Sequence, residues 1–182
     1  MQRSVASICN ADLRSQLLTK FVDALTLRQS NCNHPVSIIL HTNTLSNDIE
    51  CRLRAVEDRQ AIVAMKGLYA ECADLKYTTD HRRKEQAEID VIATRQASVF
   101  TEDATWDGGT QFGRQQGREA IYRNLRDGPW EFALHYFSPL RIELDGDVAS
   151  GTWSLWQVGT LAKGSQSVFL SAVTHDAYVR TA

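Results

Sequence analysis

WEFALHYFSPLRIELDGDVASGTWSLWQVGTL, residues 130–161, is the stretch that decides the fold. It holds two long runs, 131–144 and 148–161, rich in β-branched and aromatic residues. They meet at Asp145-Gly146, a tight-hairpin dipeptide. A third such run, 167–180, follows a weaker turn at Lys163-Gly164. Together these predict a three-strand antiparallel meander. With Asp145-Gly146 as a two-residue turn, Leu144 pairs with Asp147, His135 with Trp156 and Phe137 with Ser154. The same count at Lys163-Gly164 sets Trp156 opposite Ser171 and Thr152 opposite His175. His135, Trp156, Ser171 and His175 then share one face, and Phe132, Leu134, Tyr136, Trp153 and Leu155 the other. Large apolar residues on both faces predict a sheet covered on both sides. Helices would cover one side, and a partner subunit or the N-terminal extension the other.

Upstream, the period changes from two to nearly four. Ser46-Asn47-Asp48 offers capping side chains, and Ile49, Leu53 and Val56 follow at helical spacing. Ile62, Met65, Tyr69 and Cys72 continue the stripe, with a break expected at Glu57-Asp58. Residues 75–80 read as a turn, and His81-Arg82-Arg83-Lys84-Glu85 as a solvated charged stretch. Ile89, Ile92, Gln96, Val99 and Phe100 predict a second helix. Trp106 falls in a short extended piece, and 118–126 reads as a short helix after Gly117. Helices first and a meander later is the order of an α+β fold.

Residues 1–47 read differently. Leu13, Leu17, Leu18, Phe21, Leu25 and Leu27 support one short helix before the turn-rich Gln29-Ser30-Asn31-Cys32-Asn33-His34-Pro35. This is an N-terminal extension, weakly structured or a single helix, ahead of a domain spanning 48–182.

Composition narrows the class. The 182 residues, 43% hydrophobic and 23% charged, can bury a core without disulfides or metal. A net charge of −2 argues against nucleic acid as a partner. No apolar run approaches the roughly 20 residues that cross a bilayer, so no membrane partner is expected. Met1–Ser7 leads into no long apolar segment, so a secretory leader is not expected and the cytoplasm is. Cys9, Cys32, Cys51 and Cys72 form no CxxC pair and read as reduced thiols rather than zinc ligands. Without a Gly-rich phosphate loop, a Ser nucleophile motif or a metal-ligand cluster, no cofactor and no metal are expected.

The residues that can carry chemistry are Tyr69, Asp74 and His135. A histidine hydrogen-bonded to a carboxylate in an apolar cup is a general base, and a tyrosine hydroxyl can donate to a substrate oxygen. Tyr69 and Asp74 are five apart, about 140° around an ideal helix, so they converge only where the helix ends or bends. His175 would line the same cup. Ala133, Phe137, Trp156 and Trp106 would supply apolar wall.

Tyr69…Asp74, then Phe100-Thr101-Glu102-Asp103-Ala104-Thr105-Trp106, then Gly117-Arg118-Glu119-Ala120-Ile121, then a meander carrying His135, resembles the SnoaL-like family of the nuclear transport factor two-like superfamily. The resemblance covers roughly residues 55 to 181. It implies a cone-shaped curved antiparallel sheet wrapped by N-terminal helices, an α+β barrel with an internal pocket. The family includes polyketide cyclases, scytalone dehydratase, limonene epoxide hydrolase and bile-acid 7-alpha-dehydratase. In the last, a Tyr and an Asp five apart on the first helix face a His on the sheet. Tyr69, Asp74 and His135 match that pattern, and Arg180 matches a further arginine on the last strand. Relatives usually continue beyond the third strand with a Gly-Trp and one more, so an open sheet edge is expected at 167–180.

The resemblance implies a cofactor-independent lyase or isomerase, dehydratase- or cyclase-like, acting on a hydrophobic small molecule such as a polyketide or steroid. His135 would be the base, Asp74 its orienting partner and Tyr69 the proton donor. Trp106, Phe137, Trp156, His175 and Arg180 would contact substrate. A homodimer or homotrimer is implied as well. Two alternatives stand beside it on the same fold: a non-catalytic ligand-binding or dimerisation module, and a ring-hydroxylating oxygenase small subunit.

Overall fold

The computed structural model describes residues 7–8, 41–163 and 166–181, with side chains from residue 47 onward. The elements expected before residue 41 therefore lie outside the described residues, apart from a two-residue strand, β1 (Ser7–Ile8). The chain divides into two compact units, Asn10–Asp58 and a larger one of Met1–Cys9 with Arg59–Ala182.

Helix α1 runs without interruption over His41–Asp74. It starts earlier than the Ser46-Asn47-Asp48 cap suggests, and it passes through Glu57-Asp58, where a break was expected. Neither residue removes a backbone donor, so acidic side chains alone do not end a helix. In the larger unit its last turns bury Ile62, Lys66, Cys72 and Ala73. α2 (Gln86–Ala97) buries Ile89, Ala93, Gln96 and Ala97. β2 (Thr105–Asp107), the one-turn α3 (Gly109–Phe112) and β3 (Arg114–Gln116) then make a small ribbon on which β1 lies parallel to β2.

The Gly117-Arg118-Glu119-Ala120-Ile121 motif is a structural joint. Gly117 takes a φ of +84°, which favours glycine, and opens α4 (Arg118–Arg126). The Arg118 backbone N–H donates to Glu102 O at 3.0 Å, and its Nε to Phe100 O at 2.8 Å. Ile121 is fully buried. The motif thus stitches α4 to the Phe100–Trp106 segment.

Three strands follow: β4 (Trp130–Asp145), β5 (Val148–Leu161) and β6 (Ser167–Val179), a meander in that order. The curved antiparallel sheet with helices against it is the α+β cone. Its inner face carries Ala133, Trp153, Asp176 and Tyr178, all buried.

The β5–β6 register is the expected one, with Trp156 opposite Ser171 and Thr152 opposite His175. The β4–β5 register is not. His135 pairs with Gln157, Tyr136 with Trp156 and Phe137 with Leu155, rather than His135 with Trp156 and Phe137 with Ser154. Two local features combine. The turn residues are Gly146 and Asp147, because Asp145 pairs with Val148, and Gly146 adopts a φ of +59°. Then Leu140 is skipped between Pro139, opposite Trp153, and Arg141, opposite Thr152. Pro139 has no N–H for the ladder, which favours a bulge beside it. The net slip of one residue exchanges the faces. Trp153 and Leu155 lie inside with His135, and Trp156 lies outside with Tyr136.

Candidate active site

α1 stops at Asp74, so its carboxylate is free of the helix barrel and can turn toward the sheet. Asp74 Oδ1 accepts the His135 backbone N–H at 3.0 Å and lies 2.8 Å from His135 Nδ1. An ionised carboxylate only accepts, so Nδ1 carries the proton and Nε2 keeps its lone pair. Two bonds to one oxygen fix both the strand position and the ring.

His135 lines a cavity of about 240 Å³. The His135 ring lies parallel to Phe137 at 6.4 Å between centroids. Tyr69, five residues before Asp74, reaches the same cavity because its ring packs edge-on against Phe100 (6.0 Å) and Phe137 (6.1 Å). Burial pushes the Tyr69 hydroxyl up to about 12, partly offset by a hydrogen bond with the Trp106 side chain. The indole N–H can only donate, so the phenol proton stays available. Trp106, Phe137 and Leu155 also line the cavity.

Other expected contacts are elsewhere. Trp156 is 57% exposed on the outer face, a consequence of the register slip. His175 is exposed on that face too, and its Nδ1 lies 3.4 Å from Thr152 Oγ1. Arg180 does not line the cavity. It sits at the hairpin end, with Nε 2.9 Å from Asp147 Oδ1 and its backbone N–H donating to Asp147 O.

With this geometry in view, the last 90 residues can be classified: residues 93–182 match the SnoaL-like domain family. Residues 93–182 are SnoaL-like. Among solved structures, a LinA hexachlorocyclohexane dehydrochlorinase from Novosphingobium barchaimii is similar, with 24% identity, a TM-score of 0.55, and 71% of this chain and 81% of that chain covered. A scytalone dehydratase-like protein from Novosphingobium aromaticivorans has 18% identity, a TM-score of 0.56, and 70% and 76% coverage. A nuclear transport factor two-like protein with a cystatin-like fold, from the same organism, has 21% identity, a TM-score of 0.50, and 80% and 83% coverage. These likenesses establish the fold. No curated protein matches the chain in sequence.

The cavity holds more polar groups than the sequence suggested. Lys66 Nζ donates to Asp176 Oδ2 at 2.8 Å, with side chains 4% and 0% exposed. Tyr178 donates to the same oxygen at 2.9 Å and itself accepts the Trp153 indole N–H at 2.9 Å. Burial outweighs pairing here. It lowers the Lys66 ammonium and raises the Asp176 carboxyl, despite the opposite pull of each on the other. Lys66 Nζ also sits 4.2 Å from the Phe137 ring centroid. Beside this pair, Gln157 Nε2 and Thr174 Oγ1 are buried without a hydrogen-bond partner, and both residues line the cavity. Lys66 was legible in part: it stands three residues before Tyr69 on the buried stripe, an unusual place for a lysine. Asp176 was not legible, because the expected register put His175 on the His135 face; with the observed slip, alternation turns Asp176 inward instead.

At the other end, Lys76 and Arg83 line the cavity. Arg83 was expected in a solvated stretch, but its guanidinium donates to Trp130 O at 3.4 Å and to Arg126 O. Among the described residues no three His, Cys, Asp or Glu side chains gather as a metal site requires. No described helix is long and apolar enough to cross a membrane.

Proposed function

We propose that this chain is a lyase or isomerase that performs acid–base chemistry on a hydrophobic small molecule inside the cone. The observation that carries the reading is the 2.8 Å contact of Asp74 with His135 Nδ1, which leaves Nε2 as a base on the wall of an aromatic-lined cavity. In an elimination, Nε2 takes a proton from carbon next to a carbonyl. The C–H electron pair becomes the new double bond, and the neighbouring C–O bond breaks. The leaving oxygen takes the Tyr69 proton and departs as water. Asp74 stabilises the imidazolium while it exists. Proton return from the imidazolium to the phenolate through solvent resets the site. Gln157 Nε2 and Thr174 Oγ1 are free to hold the carbonyl or the leaving oxygen, since each lacks a partner. A dehydrochlorinase and a dehydratase-like protein on the same fold are in keeping with an elimination.

The test is turnover of a panel of hydrophobic β-hydroxy ketones, followed by enone absorbance. His135→Ala and Asp74→Asn should each cost about 100- to 10,000-fold in kcat. Variants as fast as wild type would remove the mechanism. A wild type that binds panel members and converts none would favour the ligand-binding module.

A further inference from the structure

The cavity has a cationic end that the elimination scheme does not use. Lys76 Nζ is buried, and its hydrogen-bond acceptors are neutral: Gln96 Oε1 at 3.0 Å and Leu125 O at 2.8 Å. An ammonium has three donors, so one is left over. Arg83, close enough to disfavour the charge on Lys76, likewise spends its bonds on the carbonyls of Trp130 and Arg126. No carboxylate forms an ion pair with either group among the described residues. Asp74, close enough that its charge favours the Lys76 ammonium, spends its hydrogen bonds on His135. Asp127, whose carboxyl is held low by Arg126 and further by Arg83, is paired directly with Arg126 at 2.7 Å. Two neighbouring cations whose direct hydrogen-bond acceptors are all neutral are compensated only at a distance, and a bound anion would pair with them directly.

We propose that Lys76 and Arg83 form the carboxylate-binding end of the cavity, so that the preferred ligands are hydrophobic carboxylic acids. The acid group would lie between ammonium and guanidinium, and the apolar body would run past His135 toward Phe137 and Leu155. The proposal rests on the small-molecule reading of this cavity and names the class of molecule it takes.

Calorimetric titration of the full chain with 2-naphthoate and with its methyl ester tests it. The acid should bind about tenfold more tightly than the ester. Lys76→Met and Arg83→Gln should each bring the two within about twofold of each other while leaving ester binding in place. The wild-type comparison needs no variant, so a poorly folding Lys76→Met does not spoil the test. Equal binding of acid and ester by wild type overturns the proposal, as does binding of neither probe or an acid preference that survives in both variants. Calorimetry reads binding rather than turnover. A protein that prefers the acid but converts no β-hydroxy ketone keeps this proposal and loses the elimination reading.

Discussion

Lys76 shows how burial can set a titration. Loss of solvent, with Arg83 adding repulsion, brings its ammonium down to about 8 from the usual 10.5. A lowered lysine means that the unfolded chain holds the extra proton between those two values. Stability therefore rises with pH from about 8 to 10.5, because the buried charge that penalises the fold is being removed. The gain has an upper bound of roughly 3 kcal/mol. Cys72, raised by burial from its ordinary 9.0, opposes the trend from there, and Tyr69 and Tyr77, both raised to about 12, oppose it above their ordinary 10.0. Urea denaturation of wild type and Lys76→Met between pH 7 and 10 checks this. The rise should be present in the first and smaller in the second, where the lowered Lys66 ammonium still contributes, and a flat wild-type profile would refute it. At this scale Tyr69, Asp74 and His135 were readable as chemically capable types. Their meeting was implied by the family resemblance and not by spacing, because helical spacing alone turns Tyr69 and Asp74 apart, and only the helix end at Asp74 frees the carboxylate.

The β4–β5 hairpin shows the same division between elements. Its strands were legible from alternation and its turn from Gly146, yet the register was not. A bulge depends on which ladder bond Pro139 interrupts, and that is known only once the partner strand is in place. The slip moved Trp156 from the cavity to the outside and brought in Gln157, which the sequence reading had ignored. Gly159 marks where the sheet admits no side chain at all. A Cβ there would come 2.5 Å from Phe132 O and 3.0 Å from the Trp130 ring. Gly159→Ala should cost about 1–3 kcal/mol through forced strand separation. An unchanged denaturation midpoint would show that the sheet yields at no cost.

For the molecule as a whole, the Lys66–Asp176 pair ties α1 to β6 through the core. Removing one partner strands a buried charge, so Lys66→Met should cost about 3–5 kcal/mol. Lys66→Met with Asp176→Leu removes both charges and should recover most of that loss. A double variant as unstable as the two singles combined would mean the charges act independently. The opposite face of the sheet raises a different question. Tyr136 (62% exposed), Trp156 (57%) and Phe169 (62%) stand together there, with Trp156 and Phe169 rings 5.8 Å apart. A second copy of the chain is the proposed cover, in line with the homodimer or homotrimer the sequence suggests. Sedimentation velocity should find an oligomer that Trp156→Glu with Phe169→Glu dissociates. A wild type that stays monomeric at every concentration would rule this out.

Alternation, helical period and turn chemistry are local properties, and they sufficed for the strands, the short helices and the α+β class, while the cone was implied by the family resemblance. The Phe100–Trp106 and Gly117–Ile121 stretches were legible for the same reason: each is a local joint whose residues act on near neighbours. Which side chains face the cavity depended on a bulge, on a helix end and on contacts between residues up to 110 positions apart, as for Lys66 and Asp176. Only tertiary structure decides those, because the face a strand presents and the partner a buried charge finds are set by what packs against it.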